Sequence, residues 1–253
     1  MKIFYFTGTG NSLAVAKRFE GELISIPQII NEKNLSYKDE VIGVVFPTYG
    51  WNVPKIVREF LKKAKLEANY IFAINTYGMV EGGTGKVAET IAEECGYHFD
   101  YINSIMMLDN YQPSFDIAKE KEKLPKKNVE ENLTKIVEDI KGKKKLKAKN
   151  GLGRKAGTWI MSNVLNFEKS DYAKQYTVDD NCVKCGICAK VCPKGNIKVT
   201  DYVEFFEDCV CCQACIHACP KKAIHLKKEK SIERWRNPEV KLSEIIDANN
   251  QSK

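Results

Sequence analysis

Nine of the ten cysteines lie between Cys182 and Cys219, and their spacing is the sharpest chemical signal in the chain. Two runs, Cys182-x2-Cys185-x2-Cys188-x3-Cys192-Pro193 and Cys209-x2-Cys212-x2-Cys215-x3-Cys219-Pro220, stand 27 residues apart. The same offset carries Val183 onto Val210 and Ile197 onto Ile224, so the segment is an internal repeat. Three thiolates at i, i+3 and i+6 on one tight loop can cap three irons of a [4Fe-4S] cubane, and the fourth iron then needs a thiolate from elsewhere. Zinc would instead use CxxC pairs about a dozen or more residues apart. A disulfide framework belongs to small secreted chains, whereas crowded cysteines in an intracellular setting read as metal ligands. Gly186 allows the sharp path that turns amides toward the cluster, and the prolines end each loop.

In two-cluster ferredoxins the fourth cysteine of each run ligates the other cluster. On that pattern cluster one takes Cys182, Cys185, Cys188 and Cys219, and cluster two takes Cys209, Cys212, Cys215 and Cys192. Cys211 is either a sulfur beside the cluster or a packed small hydrophobe, and the second is the simpler reading. Cys95 reads as an inert buried thiol. His217 could tune a cluster by hydrogen bonding, although an exposed bystander is the simpler reading.

A second chemical signal lies at the N-terminus. Thr7-Gly8-Thr9-Gly10-Asn11-Ser12 follows a short apolar run and opens a helix, an arrangement that presents free amides and a favourable dipole to an anion. The dinucleotide pattern G-x-G-x-x-G fails at its third glycine, and no G-x4-G-K-[ST] is present. What remains is a hydroxyl-rich cradle without lysine, with Thr7, Thr9 and Ser12 as donors and Asn11 as a further polar contact, suited to a phosphomonoester. A turn that binds nothing is the plain alternative.

Two more loops fall after apolar runs: Pro47-Thr48-Tyr49-Gly50-Trp51, and Asn75-Thr76-Tyr77-Gly78 continuing to Gly82-Gly83. Ligands of open α/β sheets bind at the C-terminal ends of strands. Tyr49, Trp51 and Tyr77 could sandwich a flat ring. Gly50 or Gly78 lets a peptide group approach the ring and reorient.

The elements that must position these residues follow from periodicity. Strand-length apolar runs at residues 2–6, 22–26, 40–46, 70–75 and 99–107 alternate with helical patterns at Asn11 to Glu20, Pro54 to Ala64, Thr84 to Cys95 and Lys126 to Ile140, the signature of βαβ units. Pro27 to Lys38 has no clear periodicity. Asn110 to Lys126 is long enough to form a lid. Net charge is −3 over residues 1–140 but +8 over 141–155. That Lys-rich stretch with three glycines reads as an exposed connector, with a docking site for an acidic redox partner as the sharper alternative and nucleic acid as a further one. Without interleaved aromatics or a reading module, no specific nucleic-acid partner is expected. Gly157 to Asn166 reads as a bridging helix. The domain boundaries expected are 1–140 for the α/β domain, 141–175 for a basic linker and bridging helix, 176–230 for the cysteine-rich domain and 231–253 for a tail. No apolar run approaches the roughly 18 residues of a membrane span, and none resembles a secretory signal, so a cytoplasmic protein is expected.

Thr7 to Ser12 and the two aromatic-glycine loops resemble the phosphate and ring loops of flavodoxins. Joined to the cysteine repeat, and including Asp109-Asn110-Tyr111 after the fifth strand, nearly the whole chain resembles the flavodoxin-ferredoxin fusions called EFR1 family ferrodoxins. The resemblance implies a flavodoxin-like five-stranded parallel sheet of order 2-1-3-4-5 with a C-terminal α+β ferredoxin domain. It also implies FMN, two [4Fe-4S] clusters, an anaerobic setting and low-potential electron transfer. The partners it implies are redox proteins: a ferredoxin, a reductase or another oxidoreductase. The alternative activity is an FMN-dependent reductase wired by its clusters and acting directly on a small molecule.

Overall fold

The computed structural model describes residues 1–148 and 172–251. The bridging-helix reading at Gly157 to Asn166 lies outside the described residues. Five parallel strands, β1 (Lys2–Tyr5), β2 (Glu22–Ser25), β3 (Ser36–Pro47), β4 (Lys65–Tyr77) and β5 (Tyr101–Met106), pair in the order β2-β1-β3-β4-β5. This is the doubly wound flavodoxin-like order, with its reversal between β1 and β3, the place where such sheets open a crevice.

Alternating side chains send the strands' apolar residues to both faces. On one face Phe4, Phe6, Val44 and Phe46 meet Ile56, Phe60 and Leu61 of α3 (Lys55–Lys63) and Ile91 of α4 (Thr84–Glu94). On the other, Ile3, Tyr5, Val45 and Phe72 meet Leu13 and Val15 of one helix, α1 (Asn11–Ala16), and Leu133, Ile136 and Ile140 of another, α6 (Val129–Lys141).

Several boundaries differ from the periodicity reading. β3 and β4 begin earlier, because Ser36–Asp39 pairs with Lys65–Ala68 beyond the edge of the apolar core, where no continuous apolar run marks a strand. The unassigned crossover holds a single helical turn, α2 (Ile26–Ile29), started by Pro27. α1 stops at Ala16 rather than Glu20. The candidate lid contains α5 (Ile117–Lys123), whose Asp116 cap accepts the Ala118 N–H at 2.9 Å. Ile117 packs against Leu108 and Trp235. Lys-rich residues 141–147 are exposed, yet Leu146 pairs with the edge of β5: its N–H donates to Asp100 O at 2.9 Å, and Ile102 N–H donates to Leu146 O at 2.8 Å. The start of the basic stretch thus covers an open sheet edge.

The cysteine-rich half is a folded duplicate. β6 (Tyr176–Val178) pairs antiparallel with β9 (Ile224–Leu226), and β7 (Ile197–Val199) with β8 (Val203–Phe205). The 27-residue offset carries β6 onto β8 and β7 onto β9, so each pair takes one strand from each copy. Short helices α7 (Ile187–Lys190) and α8 (Ala214–Ala218) follow the cysteine loops at the same offset. Residues read as a tail instead contain helix α9 (Leu242–Asn249), which returns to the sheet. Its Ile245 and Ala248 join the core with Ile3 and Leu13, as do Val191, Ala214 and Ala218 of the cysteine half. Ser25 Oγ donates to Ala248 O at 2.6 Å, and Asn249 Nδ2 donates to Thr7 O at 2.9 Å.

Ile245 is fully buried at this junction. Ile245→Ala is expected to cost about 2–5 kcal/mol by transfer and cavity terms. Urea titration followed by circular dichroism checks this.

Candidate functional site

A cavity of about 400 Å³, within the usual range of small-molecule sites, opens at the C-terminal ends of β1, β3 and β4. From the first loop it takes Thr7, Gly8, Thr9, Asn11 and Ser12; from the second, Pro47 to Trp51; from the third, Thr76 to Val80. Among the described residues no Lys, Arg or His lines it.

The first loop is held from outside. Asn249 takes the Thr7 carbonyl, Asn237 N–H donates to Thr9 O at 2.8 Å, and Asn237 Nδ2 donates to Asn11 Oδ1 at 3.1 Å. Thr7 Oγ1 accepts the Gly10 N–H at 3.0 Å and Thr9 Oγ1 accepts the Asn110 amide, so both buried hydroxyls keep their own protons for an anion. Ser12 and Thr76 share a hydrogen bond of 3.0 Å. With α1 only six residues long, the loop faces the cavity with these hydroxyls and its amides rather than with the end of a long helix.

Four expected site residues lie behind the lining. Gly10 precedes α1, Gly83 precedes α4, and Asn75 Nδ2 donates to Thr48 Oγ1 at 3.0 Å. Gly82 seats Trp51: a methyl there would lie 2.4 Å from Trp51 Cβ. Gly50 and Trp51 have φ of 57° and 64°, and Tyr49 and Asn52 exchange two 3.0 Å hydrogen bonds around them. Positive φ at both central positions defines a type I′ turn, which is unfavourable for a bulky residue such as Trp. The Gly78 carbonyl is held by Lys127 Nζ at 2.8 Å.

The structure adds a fourth loop and a second domain to the cavity. Leu108 to Tyr111, Ser114 and Phe115 line it, and so do Cys211, Cys212 and Gln213 of the second cysteine run. A methyl on Gly8 would lie 2.6 Å from the Cys212 carbonyl oxygen and 3.2 Å from the Tyr49 hydroxyl, so the cysteine loop rests directly on the first loop. A sequence signal for this lies in two of the positions at which the copies differ, Lys184 against Cys211 and Gly186 against Gln213. All four have φ between 54° and 75°. Gly186 suits that conformation, whereas its mate Gln213 adopts it against the usual preference.

The cysteines fall into two groups. Burial pushes the Cys188 thiol up to about 11, and Cys185, Cys219 and Cys182 act on it in the same direction. Burial also raises the Cys215 thiol, and Cys212, Cys209, Cys192 and Cys188 act on it in the same direction. Cys192 Sγ accepts the Asn196 N–H at 3.2 Å, and Cys219 Sγ accepts the Ala223 N–H at 3.3 Å, matching contacts at the repeat offset. Among the described residues no three His, Cys, Asp or Glu side chains converge on a single point as one metal ion requires. Thiolates that cap different irons of a cubane stand wider apart.

Two single-residue readings change. His217 is buried, not exposed. Its Nδ1 accepts the Trp235 N–H at 3.2 Å, which assigns the proton to Nε2 and makes that nitrogen the donor to Asn110 O at 2.9 Å. Burial pushes its pKa down to about 4, so the ring is a neutral tie between the cysteine half and the fourth loop. Cys95 is exposed, not buried. Lys194, two residues after Cys192, is paired with Asp208 at 2.9 Å.

With this geometry established, residues 151–238 match the family model of the 4Fe-4S dicluster domain. The solution structure of two-electron reduced Megasphaera elsdenii flavodoxin is 17% identical, covering 41% of this chain and 83% of that one, with a TM-score of 0.31. That likeness adds nothing to the topology already described. A search of curated proteins finds no match. An iron-sulfur domain joined to a flavodoxin-like sheet suggests electron transfer.

Asp109, on the fourth loop, is the one carboxylate among the described residues that line the cavity. Burial raises its pKa to about 6; hydrogen bonds from the Tyr111 and Met79 amides and the charge of Lys127 oppose the rise, and Glu120 adds to it. A folded pKa above the unfolded one means that both states are protonated below pH 4, and that the folded state loses stability as pH rises toward 6. Asp109→Asn should therefore be more stable than the parent at pH 7, on the order of 1–3 kcal/mol, and equal to it near pH 4. Melting temperatures at the two pH values check the sign.

Proposed function

We propose that the cavity binds FMN and that the two cysteine groups each hold a [4Fe-4S] cluster, making the chain a cytoplasmic electron-transfer iron-sulfur flavoprotein. Thr7, Thr9 and the loop amides would hold the phosphate as neutral donors, with Ser12 and Asn11 beside them. Tyr49, Trp51 and Tyr77, with Gly50 and Gly78, would flank the ring. Cys182, Cys185, Cys188 and Cys219 would hold cluster one, and Cys209, Cys212, Cys215 and Cys192 cluster two. Bound FMN supplies two-electron chemistry and the clusters supply one-electron chemistry, so together they can interconvert the two. The observation that carries this reading is that Cys211, Cys212 and Gln213 are both part of the second cysteine run and part of the cavity wall.

The protein groups do the rest. The Asn237 and Asn249 amides fix the phosphate loop. Gly8 lets the Cys212 backbone close on that loop without an intervening side chain. His217 locks the Asn110 carbonyl to the cysteine half.

A second reading, the cluster-wired reductase acting on a small acceptor, draws support from Asp109, a carboxyl able to carry a proton near neutral pH, and from the exposed Met79 and Val80 beside the cavity. Steady-state turnover that saturates with a small acceptor and weakens in Asp109→Asn favours it over the carrier.

Anaerobic reconstitution tests the first reading. About eight irons, eight sulfides and one FMN per chain are expected, with riboflavin bound much more weakly than FMN. Four irons, or equal affinity for riboflavin, contradicts it. Thr7→Val should weaken FMN binding in fluorescence titration and leave the iron content unchanged.

A further inference from the structure

The two cysteine runs are copies set in different surroundings, and comparing them shows what one copy lacks. Val210 is 5% exposed and packs in the core with Phe4 and Phe6, whereas its mate Val183 is 56% exposed. Cys211 is buried against the cavity, while its mate Lys184, with nearly the same φ, is exposed. Lys194 is paired with Asp208, which also lies 3.7 Å from Lys55 of α3. Its mate Lys221 is exposed and makes no ion pair among the described residues. At two positions the first copy leaves open what the second presses into the sheet domain, and after the last cysteine the roles reverse, Lys194 of the first copy being paired with an acid and Lys221 of the second left open.

The open face has the composition of a docking site. Val183 lies beside Cys185, the one exposed cysteine of the eight proposed ligands. Tyr202, at the tip of the β7–β8 hairpin, is 65% exposed. The charged residues lining the hollow around Cys182, Cys185, Cys188 and Cys219 are Lys184 and Lys221, with no acid among them. Lys190 and Lys222, which follow two of these cysteines in the chain, are also exposed. A small apolar centre with a cationic rim is the anatomy of a transient electron-transfer interface steered by charge.

We propose that this face of the first cysteine run, formed by Val183, Lys184, Cys185 and Lys221, is the docking surface for an acidic one-electron carrier protein. It rests on the electron-transfer reading above and assigns an order: cluster one is the outer port, and cluster two is the inner relay against the flavin cavity. In each encounter the carrier's metal centre loses one electron and cluster one gains it. Two encounters, with two protons from solvent, deliver the two electrons that reduce one bound flavin. The same path serves the reverse direction.

The test uses the reconstituted full chain, a small acidic two-[4Fe-4S] ferredoxin as probe and a basic cytochrome as the opposite-charge control. Binding is measured by calorimetry at low and high salt, and flavin bleaching by stopped flow with the reduced ferredoxin. The parent is expected to bind the acidic probe, more weakly as salt rises, and to ignore the basic one. Lys184→Glu/Lys221→Glu is expected to weaken binding and slow bleaching at least about tenfold, the scale of charge-steered association. Lys63→Glu, on α3, should leave both unchanged. Val183→Ser should weaken binding with the salt dependence preserved. Equal binding of acidic and basic probes, or a double variant that matches the parent, overturns the port. Bleaching by dithionite separates the two levels: if the flavin of the parent bleaches with its clusters while the double variant still matches the parent with the ferredoxin, the port is wrong and the electron-transfer reading stands.

Discussion

The constraint on which the rest of the structure depends is a backbone contact. The Cys212 carbonyl approaches Gly8 so closely that a single methyl would intervene at 2.6 Å. One side of that contact is the Thr7 to Ser12 loop that lines the cavity, and the other is the second cysteine loop. Electron transfer falls steeply with distance, so a pairing of flavin and cluster in one chain has consequence only if the two sites share a wall. Everything around the contact preserves it. α9 carries Asn249 to the Thr7 carbonyl, Asn237 holds Thr9 and Asn11, and buried His217 ties Asn110 to the Trp235 amide.

Duplication is the second organising fact, and it is an imperfect duplication in a directed way. Strand pairing, helix positions, N–H to sulfur contacts and positive-φ positions all repeat at one offset. The departures cluster where the second copy meets the sheet domain. Gln213 stands in a conformation that Gly186 adopts at less cost, which places strain at the junction, where functional sites commonly store it. Trp51 shows the same on the other side of the cavity, held in a type I′ turn by the room that Gly82 leaves.

Much of this was legible in the residues. The five strands were legible in the alternating apolar runs and their order in the resemblance to flavodoxins, and Thr7 to Ser12 does line the cavity at the end of β1. The loops after β3 and β4 do converge on one cavity, because in a doubly wound sheet strand C-termini on either side of the reversal open to the same crevice. What could not be read was long-range. Nothing in Asn237 or Asn249 marks them as partners of a loop more than two hundred residues away, and the polar starts of β3 and β4 carry no apolar run. His217 looked exposed because a lone histidine among cysteines gives no sign of its packing partners. Cys211 had no place in the motif, since its meaning lies in the cavity that the other domain supplies. The basic stretch showed its charge plainly but not the Leu146 backbone pairing that anchors its start.

The most direct measurement of the central claim is photoreduction of the reconstituted chain by a pulse of one-electron reductant, with cluster and flavin absorbance followed together. If the second cluster and the flavin share a wall, the flavin signal grows as the cluster signal decays, first order and at a rate independent of protein concentration. A flavin signal whose rate scales with protein concentration, or clusters that stay reduced beside an unchanged flavin, would contradict the account.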